Sequence, residues 1–309
     1  MQDVIGMIGL GAMGSGIAQR LVDAGAKLWV HDINEAAAAR FRGITSGIAR
    51  SPTEVADHAI IVFISVPNLK AGEDVILGNK GLVHGKTVKI IVDLSTTGAR
   101  FAEKMYEATR QRGVTYIASP VSGGVAGAAA GTLTVMSSGP NDAFNKVLPY
   151  INCFGKSVHY VGKEPGDAQT MKLINNMLST TGLVMACEAF VFGAKAGLDP
   201  DVMLDVINSG TGRNSATLYK MPKSILPRTF DYGAKTSITE KDNELLLGEA
   251  NALGVDLSVA KAAQKVWQSV IAQGAADEDN TTLIKYLEKP AGVVVQSNKK
   301  LRAEKKNIE

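Results

Sequence analysis

The fold turns on one stretch near the start of the chain, Val4–Asp32, which reads VIGMIGLGAMGSGIAQRLVDAGAKLWVHD. A short apolar run, Val4–Ile8, feeds a cluster of glycines. An amphipathic segment then closes on Gly25, and a second apolar run, Lys27–His31, ends in Asp32. Gly9, Gly11 and Gly14 stand in the spacing G-x-G-x-x-G, with Leu10, Ala12 and Met13 between them. Between a strand and a helix the three glycines serve different ends, namely a tight turn, backbone approach to a pyrophosphate, and close packing of helix on strand. The helix N-terminus supplies donors to the anion. An acid about 20 residues further on, at the end of the second strand, accepts hydrogen bonds from ribose hydroxyls and repels a 2′-phosphate. The stretch therefore predicts a dinucleotide site that favours NAD, with NADP the less favoured cofactor. Ile33 and Asn34 offer no arginine for a phosphate, and Arg40 and Arg42 follow only at a distance.

Beyond this unit the same alternation continues. Val/Ile-rich runs at Ile60–Ser65 and Val88–Leu94 are nearly all apolar, as strands buried on both faces are. Thr115–Ile117 and Thr132–Ser137 read as later, antiparallel additions. Strand and helix patterns in turn predict a doubly wound α/β domain over residues 1–162. After VHYVGKEPGDAQ the strand-like runs cease and long helical patterns begin, so residues 163–309 are expected to form an all-α domain. Its first helix starts near Asp167 and runs to Gly197, with Asp199-Pro200 opening the next.

Composition excludes several classes. With 33 basic and 30 acidic residues and no basic stripe interleaved with aromatics, the chain is not expected to bind nucleic acid. The one basic cluster, Asn298–Glu309, reads as a solvated terminus. Two cysteines in unrelated contexts, Cys153 and Cys187, fit a reducing cytoplasm and no metal site. The four histidines, His31, His58, His84 and His159, are scattered. The start reads as no signal peptide. The apolar stretch Met177–Leu198 is broken by Ser179, Thr180, Thr181, Glu188 and Lys195, so no membrane partner is expected.

In open parallel sheets ligands collect beyond the carboxyl ends of the strands. Three segments end strands there: FISVPN with Ser65, Val66, Pro67 and Asn68; VDLSTT with Asp93, Ser95, Thr96 and Thr97; and SPVSGG with Ser122, Gly123 and Gly124. Hydroxyls and bare backbone amides suit a ribose or a small carboxylate, and equally suit turns. On the long helix Lys172 and Asn176 are four apart and share a face. An apolar cleft around Lys172 would suit it to acid/base work; on open surface it would be a snorkelling lysine. Lys241 and Asp242 begin a later helix, where such a pair usually forms a solvated face.

Together these motifs resemble the β-hydroxyacid dehydrogenases, the group of 3-hydroxyisobutyrate dehydrogenase and tartronate semialdehyde reductase, across almost the whole chain. GLGAMG is similar to the family's cofactor loop, VDLSTT to its D-x-S-T segment, SPVSGG to its P-V-S-G-G, KLINN to its K-x-x-x-N and EKD to its late K-D. The resemblance implies that Lys172 is the catalytic acid/base and that Asn176 positions it or the substrate. It implies that Ser122, Gly123 and Gly124 bind the substrate carboxylate, that Thr96 lies near the nicotinamide and that Lys241 closes over the cofactor. The substrate would be a small hydroxyacid or its semialdehyde. The chain departs from the family at Ala118-Ser119, where Asp-Ala is usual, and in GKEPGDAQTMK, which has one more residue than usual and Ala168 in place of a glycine. That leaves GTGRNSATL, Gly210–Leu218 with Arg213 and Asn214, as a candidate lining of an altered pocket.

Three alternatives stand beside this reading. A 6-phosphogluconate dehydrogenase type needs a longer helical domain and a phosphate clamp. An imine-reducing type generally lacks the lysine, and a non-catalytic NAD-binding protein would have no use for it. A helical domain built on one long apolar helix also predicts a homodimer or homotetramer.

Overall fold

The computed structural model describes residues 3–298, so the basic cluster beyond Asn298 lies outside the described residues. The chain divides into two compact units, the first running to Leu173 and the second from Ile174.

The first unit comprises β1 (Val4–Ile8), α1 (Ala12–Asp23), β2 (Lys27–His31), α2 (Glu35–Ala39), β3 (Gly47–Ile48), α3 (Pro52–His58), β4 (Ile61–Ile64), α4 (Leu69–Leu77), β5 (Ile90–Asp93), α5 (Ala99–Arg110), β6 (Thr115–Ala118), β7 (Val121–Ser122), α6 (Gly124–Ala130), β8 (Leu133–Ser138), α7 (Asn141–Ile151) and β9 (Gly155–Gly162). Among the described residues they form one sheet in the order β3-β2-β1-β4-β5-β6-β8-β7, with β9 beside β8. The chain steps outward from β1 to β3, then crosses back to place β4 on the other side of β1. This reversal opens a crevice at the carboxyl ends of β1 and β4.

The buried strands explain their own composition. Alternate residues face opposite sides: Ile5, Met7, Phe63, Val92 and Ile117 enter one core. Val62, Ile64, Ile91, Tyr116 and Ala118 enter the other. Both faces are covered, so β4 is apolar throughout and β5 is apolar up to Asp93 at its carboxyl end; each fully buried apolar side chain contributes roughly 1.5–3 kcal/mol. Helix starts are set locally: Ser51 accepts from Glu54 N ahead of Pro52, and Asn68 accepts from Ala71 N.

One strand expectation needs correction. β6 is parallel to β5, pairing Ile90 with Thr115 through Asp93 with Ala118, and is no antiparallel addition. The 12-residue α5 returns the chain to the starting edge and makes that parallel crossover possible. Only β8 of the late pair runs antiparallel, to β6 and to β7. The eight-residue β9 carries no continuous apolar run because much of it is exposed.

The second unit is helical. The helix α8 (Asp167–Lys195) spans the division of the chain, and α9 (Pro200–Ser209), a π-helix (Ala216–Ile225), α10 (Thr236–Ala252), α11 (Ser258–Ala272) and α12 (Leu283–Ala291) follow. Asp199 caps α9 by accepting from Asp201 N and Val202 N, with Pro200 in the first turn. Leu183, Cys187, Phe190, Met221, Trp267 and Ile284 share the core. By length and composition alone α8 is long and apolar enough to cross a membrane, a test that the core helix of a soluble protein also passes. Its burial is one-sided: Leu183, Cys187 and Phe190 are fully buried, whereas Leu178, Met185 and Phe192 are 67%, 59% and 77% exposed.

Candidate active site

The glycine loop shows which of its glycines the protein needs for itself. Gly9 has φ of +86°, and a Cβ there would lie 2.1 Å from the Ser65 carbonyl oxygen. At Gly14 a Cβ would lie 1.9 Å from the Gly9 carbonyl oxygen. Turn and packing thus account for both. Gly11 is different: a Cβ there would meet nothing within 4 Å, so packing within the chain gives no reason for a bare backbone. Gly11 is also the N-cap of α1 and makes no side-chain cap, leaving the first amides of the helix directed outward. A pyrophosphate approaching that backbone would account for Gly11, and the residues fit an NAD(P) cofactor on this ground. Asp32 completes the cradle: its Oδ2 accepts from Leu10 N at 2.5 Å and its Oδ1 from Asn34 N at 2.7 Å, which fixes the carboxylate beside the loop. Met13 packs against the core and Ala12 opens α1.

The loops after β4 and β5 are tied together. Ser65 N donates to Ile8 O at 2.9 Å, and Val66 N, just before Pro67, donates to Ser95 Oγ at 3.0 Å. Ser95 N in turn donates to Asp93 Oδ1 at 2.9 Å, while Tyr116 donates its hydroxyl proton to Asp93 Oδ2 at 2.8 Å. Burial, and then the Asp93 carboxylate, push the Tyr116 phenol well above its ordinary value. Thr96 lies between Ser95 and Thr97, both buried. Ser122 ends β7, paired with Thr134 of β8, and Gly123 and Gly124 turn the chain into α6 with φ of +133° and +66°.

Lys172 stands on the part of α8 that belongs to the first unit and is 7% exposed, so the surface-lysine reading is excluded. At the departures from the family pattern, Ala118 is buried, and the Ser119 and Ser137 hydroxyls bond each other at 2.9 Å as a neutral, fully buried pair. Ala168 is also fully buried, and its N–H donates to Ser138 Oγ at 3.0 Å.

In the second unit Asn176 donates from Nδ2 to Asp242 Oδ2 at 2.7 Å, and Thr180 donates to Asn243 Oδ1 at 2.9 Å. Asp242 is 7% exposed and pairs with Lys241 Nζ at 3.0 Å. The expectation that Lys241 and Asp242 form a solvated face is corrected here: contact with α8 turns Asp242 inward. Asn214 caps the π-helix, accepting from Ala216 N at 2.8 Å and Thr217 N at 3.2 Å, while Arg213 is exposed.

Residues 4–162 match the family described as the NAD binding domain of 6-phosphogluconate dehydrogenase. Residues 166–287 match the NAD-binding domain of NADP-dependent 3-hydroxyisobutyrate dehydrogenase. The chain belongs to the β-hydroxyacid dehydrogenase family. It is similar to 2-(hydroxymethyl)glutarate dehydrogenase of Eubacterium barkeri, at 33% identity over 94% of this chain and 97% of that protein. It is also similar to 2-hydroxy-3-oxopropionate reductase of Escherichia coli K12, at 32% identity over 92% of this chain and 97% of that one. Among solved structures, 3-hydroxyisobutyrate dehydrogenase of Mycobacterium tuberculosis, determined with L-serine, superposes with a TM-score of 0.84 at 27% identity, covering 93% and 99% of the two chains. The protein is an NAD(P)-dependent hydroxyacid dehydrogenase acting on CH–OH groups.

Within this family fold His31, His58 and His159 serve packing and local bonds. His58 stacks on Trp29 with ring centroids 3.8 Å apart, and His31 Nδ1 bonds Ala49 O. Among the described residues no group of three or more His, Cys, Asp or Glu side chains could hold a metal ion. Two residues carry no signal in the sequence that marks them out. Gln169 is fully buried between Ser95 and Thr97. Lys220, on the π-helix, is 6% exposed near Cys187, and burial lowers its amine to about 8. Neither position belongs to a motif of its own; only the spacing of Gln169 three residues before Lys172 could draw attention to it.

Proposed function

We propose that this dehydrogenase prefers NAD and oxidises a small β-hydroxyacid, or reduces the matching semialdehyde, with Lys172 as general acid/base. The observation that carries the proposal is the burial of Lys172, a long cationic side chain, within the unit that holds the glycine cradle. A buried titratable side chain in the unit that carries a cofactor cradle is a candidate for proton transfer. In oxidation the Lys172 amine takes the hydroxyl proton; in reduction its ammonium returns a proton to the carbonyl oxygen. A nicotinamide held by the glycine cradle would supply the hydride chemistry, taking hydride from the carbinol carbon in oxidation and returning it to the carbonyl carbon in reduction. Asn176, held by Asp242, orients Lys172 or the substrate. Ser122 and the amides at Gly123 and Gly124 bind the substrate carboxylate, and small-residue backbone there leaves room for it. Thr96, with Ser65, Val66 and Pro67, lines the nicotinamide side, and Lys241 is a cofactor contact. The preference for NAD is supported by the Asp32 carboxylate, held beside the loop by Leu10 N, whose charge opposes a 2′-phosphate. The exposed stripe Leu178, Met185 and Phe192 supports a homodimer or homotetramer, and two free cysteines suit the cytoplasm.

Initial rates at the NADH absorbance band, with NAD and NADP in turn against 3-hydroxyisobutyrate, glycerate, threonate and aryl-substituted serines, test the reading. Lys172→Ala should lower kcat by about 10²- to 10⁴-fold with the fold intact; surviving turnover would remove Lys172 from the mechanism. Asp32→Ser should lower the NAD:NADP ratio of kcat/KM by about tenfold or more; an unchanged ratio would remove Asp32 from cofactor choice.

A further inference from the structure

We propose that Gln169 is a positioning residue for the reaction: its side-chain amide locks the turn of α8 that precedes Lys172 to the Ser95–Thr97 loop. The inference rests on the reading of Lys172 as acid/base and of Thr96 as a nicotinamide-side residue. Gln169 Oε1 accepts from Thr97 N at 3.0 Å, and Gln169 Nε2 donates to Ser95 O at 2.9 Å. One planar amide thus engages the backbone on both sides of Thr96. Gln169 is fully buried, and burying an amide costs free energy that a leucine or methionine of similar size would not incur. Packing alone gives no reason for glutamine here.

The position of this amide gives it a mechanical role. Lys172 lies three residues on, about 4.5 Å along the helix axis. Ala168 N donates to Ser138 Oγ at 3.0 Å, and that hydroxyl donates to Pro165 O at 3.0 Å, which anchors the start of the helix against sliding. The Gln169 bonds then limit its rotation relative to the loop. From below, Asp93 holds Ser95 N while Tyr116 holds Asp93, so the loop that Gln169 grips is itself fixed. Gln169 therefore sets where the Lys172 amine stands relative to Thr96. Misplacement by about 1 Å at such a point costs on the order of 10²-fold in rate.

The test compares Gln169→Met, Gln169→Glu and Lys172→Ala in the full chain, on the best substrate found with NAD. Methionine fills the space without either bond. It should lower kcat by about 10- to 100-fold with KM for NAD within about twofold, because the glycine cradle does not depend on Gln169. Glutamate offers a second measurement should methionine disturb the fold. Protonated, it can donate to Ser95 O and accept from Thr97 N as glutamine does; ionised, it opposes Ser95 O with charge. The ratio of its kcat to that of the unaltered protein should rise as pH falls, a dependence that a merely structural role would not produce. Unaltered kcat in both variants, or a kcat ratio for Gln169→Glu that is flat with pH, would overturn the inference alone if Lys172→Ala is inactive. An active Lys172→Ala would overturn the underlying reading, and this inference with it.

Discussion

The two units handle polar groups in opposite ways. In the first, the glycine loop presents backbone, with amides at the start of α1 and bare glycines, beside the Asp32 carboxylate. In the second, polar side chains on separate helices bond each other, such as Asn176 with Asp242 and Thr180 with Asn243, more than sixty positions apart in sequence. A backbone site is written into a short motif because each glycine answers a local demand. A side-chain site requires helices to be packed before its members meet.

The sharpest way to break this comparison lies within the glycine loop. Gly14→Ala brings its methyl to the Gly9 carbonyl oxygen and should destabilise the first unit by about 1–3 kcal/mol or more. Gly11→Val should leave the melting temperature within about 2 °C, because nothing in the chain lies near its Cβ, yet weaken NADH binding by at least about tenfold. Thermal melts and NADH fluorescence titration separate the two. Equal losses of Tm would show that Gly11 is structural, and the cradle would lose its support.

In the second unit the largest expected effect is on assembly. Leu178→Lys combined with Phe192→Lys places two charges on the exposed stripe of α8. Light scattering should then report a smaller particle than the unaltered protein while Tm of the monomer changes little. A monomer before substitution at micromolar concentration would end the homo-oligomer proposal.

The smallest effect concerns Lys220. Burial lowers its amine from the ordinary 10.5 to about 8, so between pH 8 and 10.5 the folded protein holds fewer protons than the unfolded chain. Stability attributable to this residue therefore rises with pH through that window, and the cost of the buried charge is greatest below pH 8. Lys220→Met should raise Tm by about 2–4 °C at pH 7, with the gain shrinking towards pH 10.5. A gain independent of pH would mean that the charge is not what the substitution relieves.

The same division governs how much can be read from residues alone. The bounds of β1 and β2 and the placing of Asp32 follow from a local pattern, since apolar runs, glycine spacing and a terminal acid all lie within one strand-helix-strand unit. β6 is legible as a strand but not in direction, because direction depends on the crossover that α5 makes. β9 is not legible, since beyond Gly155 its residues are exposed or half-buried and form no apolar run. Lys172 and Asn176 can be placed on one helix face from their spacing. The inward turn of Asp242 and the grip of Gln169 on the Ser95–Thr97 loop cannot, because each depends on a partner at long separation.

By itself, the sequence determined that an α/β nucleotide cradle precedes a helical domain and that one lysine on a long helix is the candidate for proton transfer. Hydrophobic periodicity and glycine spacing are local properties, fixed by backbone geometry within a few residues. Only the tertiary structure decided that Lys172 is buried, that Gly11 alone among the loop glycines has no packing reason, and that Asp93, Ser95 and Gln169 form one connected support. Burial and hydrogen-bond partnership belong to pairs of residues, and pairs distant in sequence meet only when the sheet and helices have closed around them.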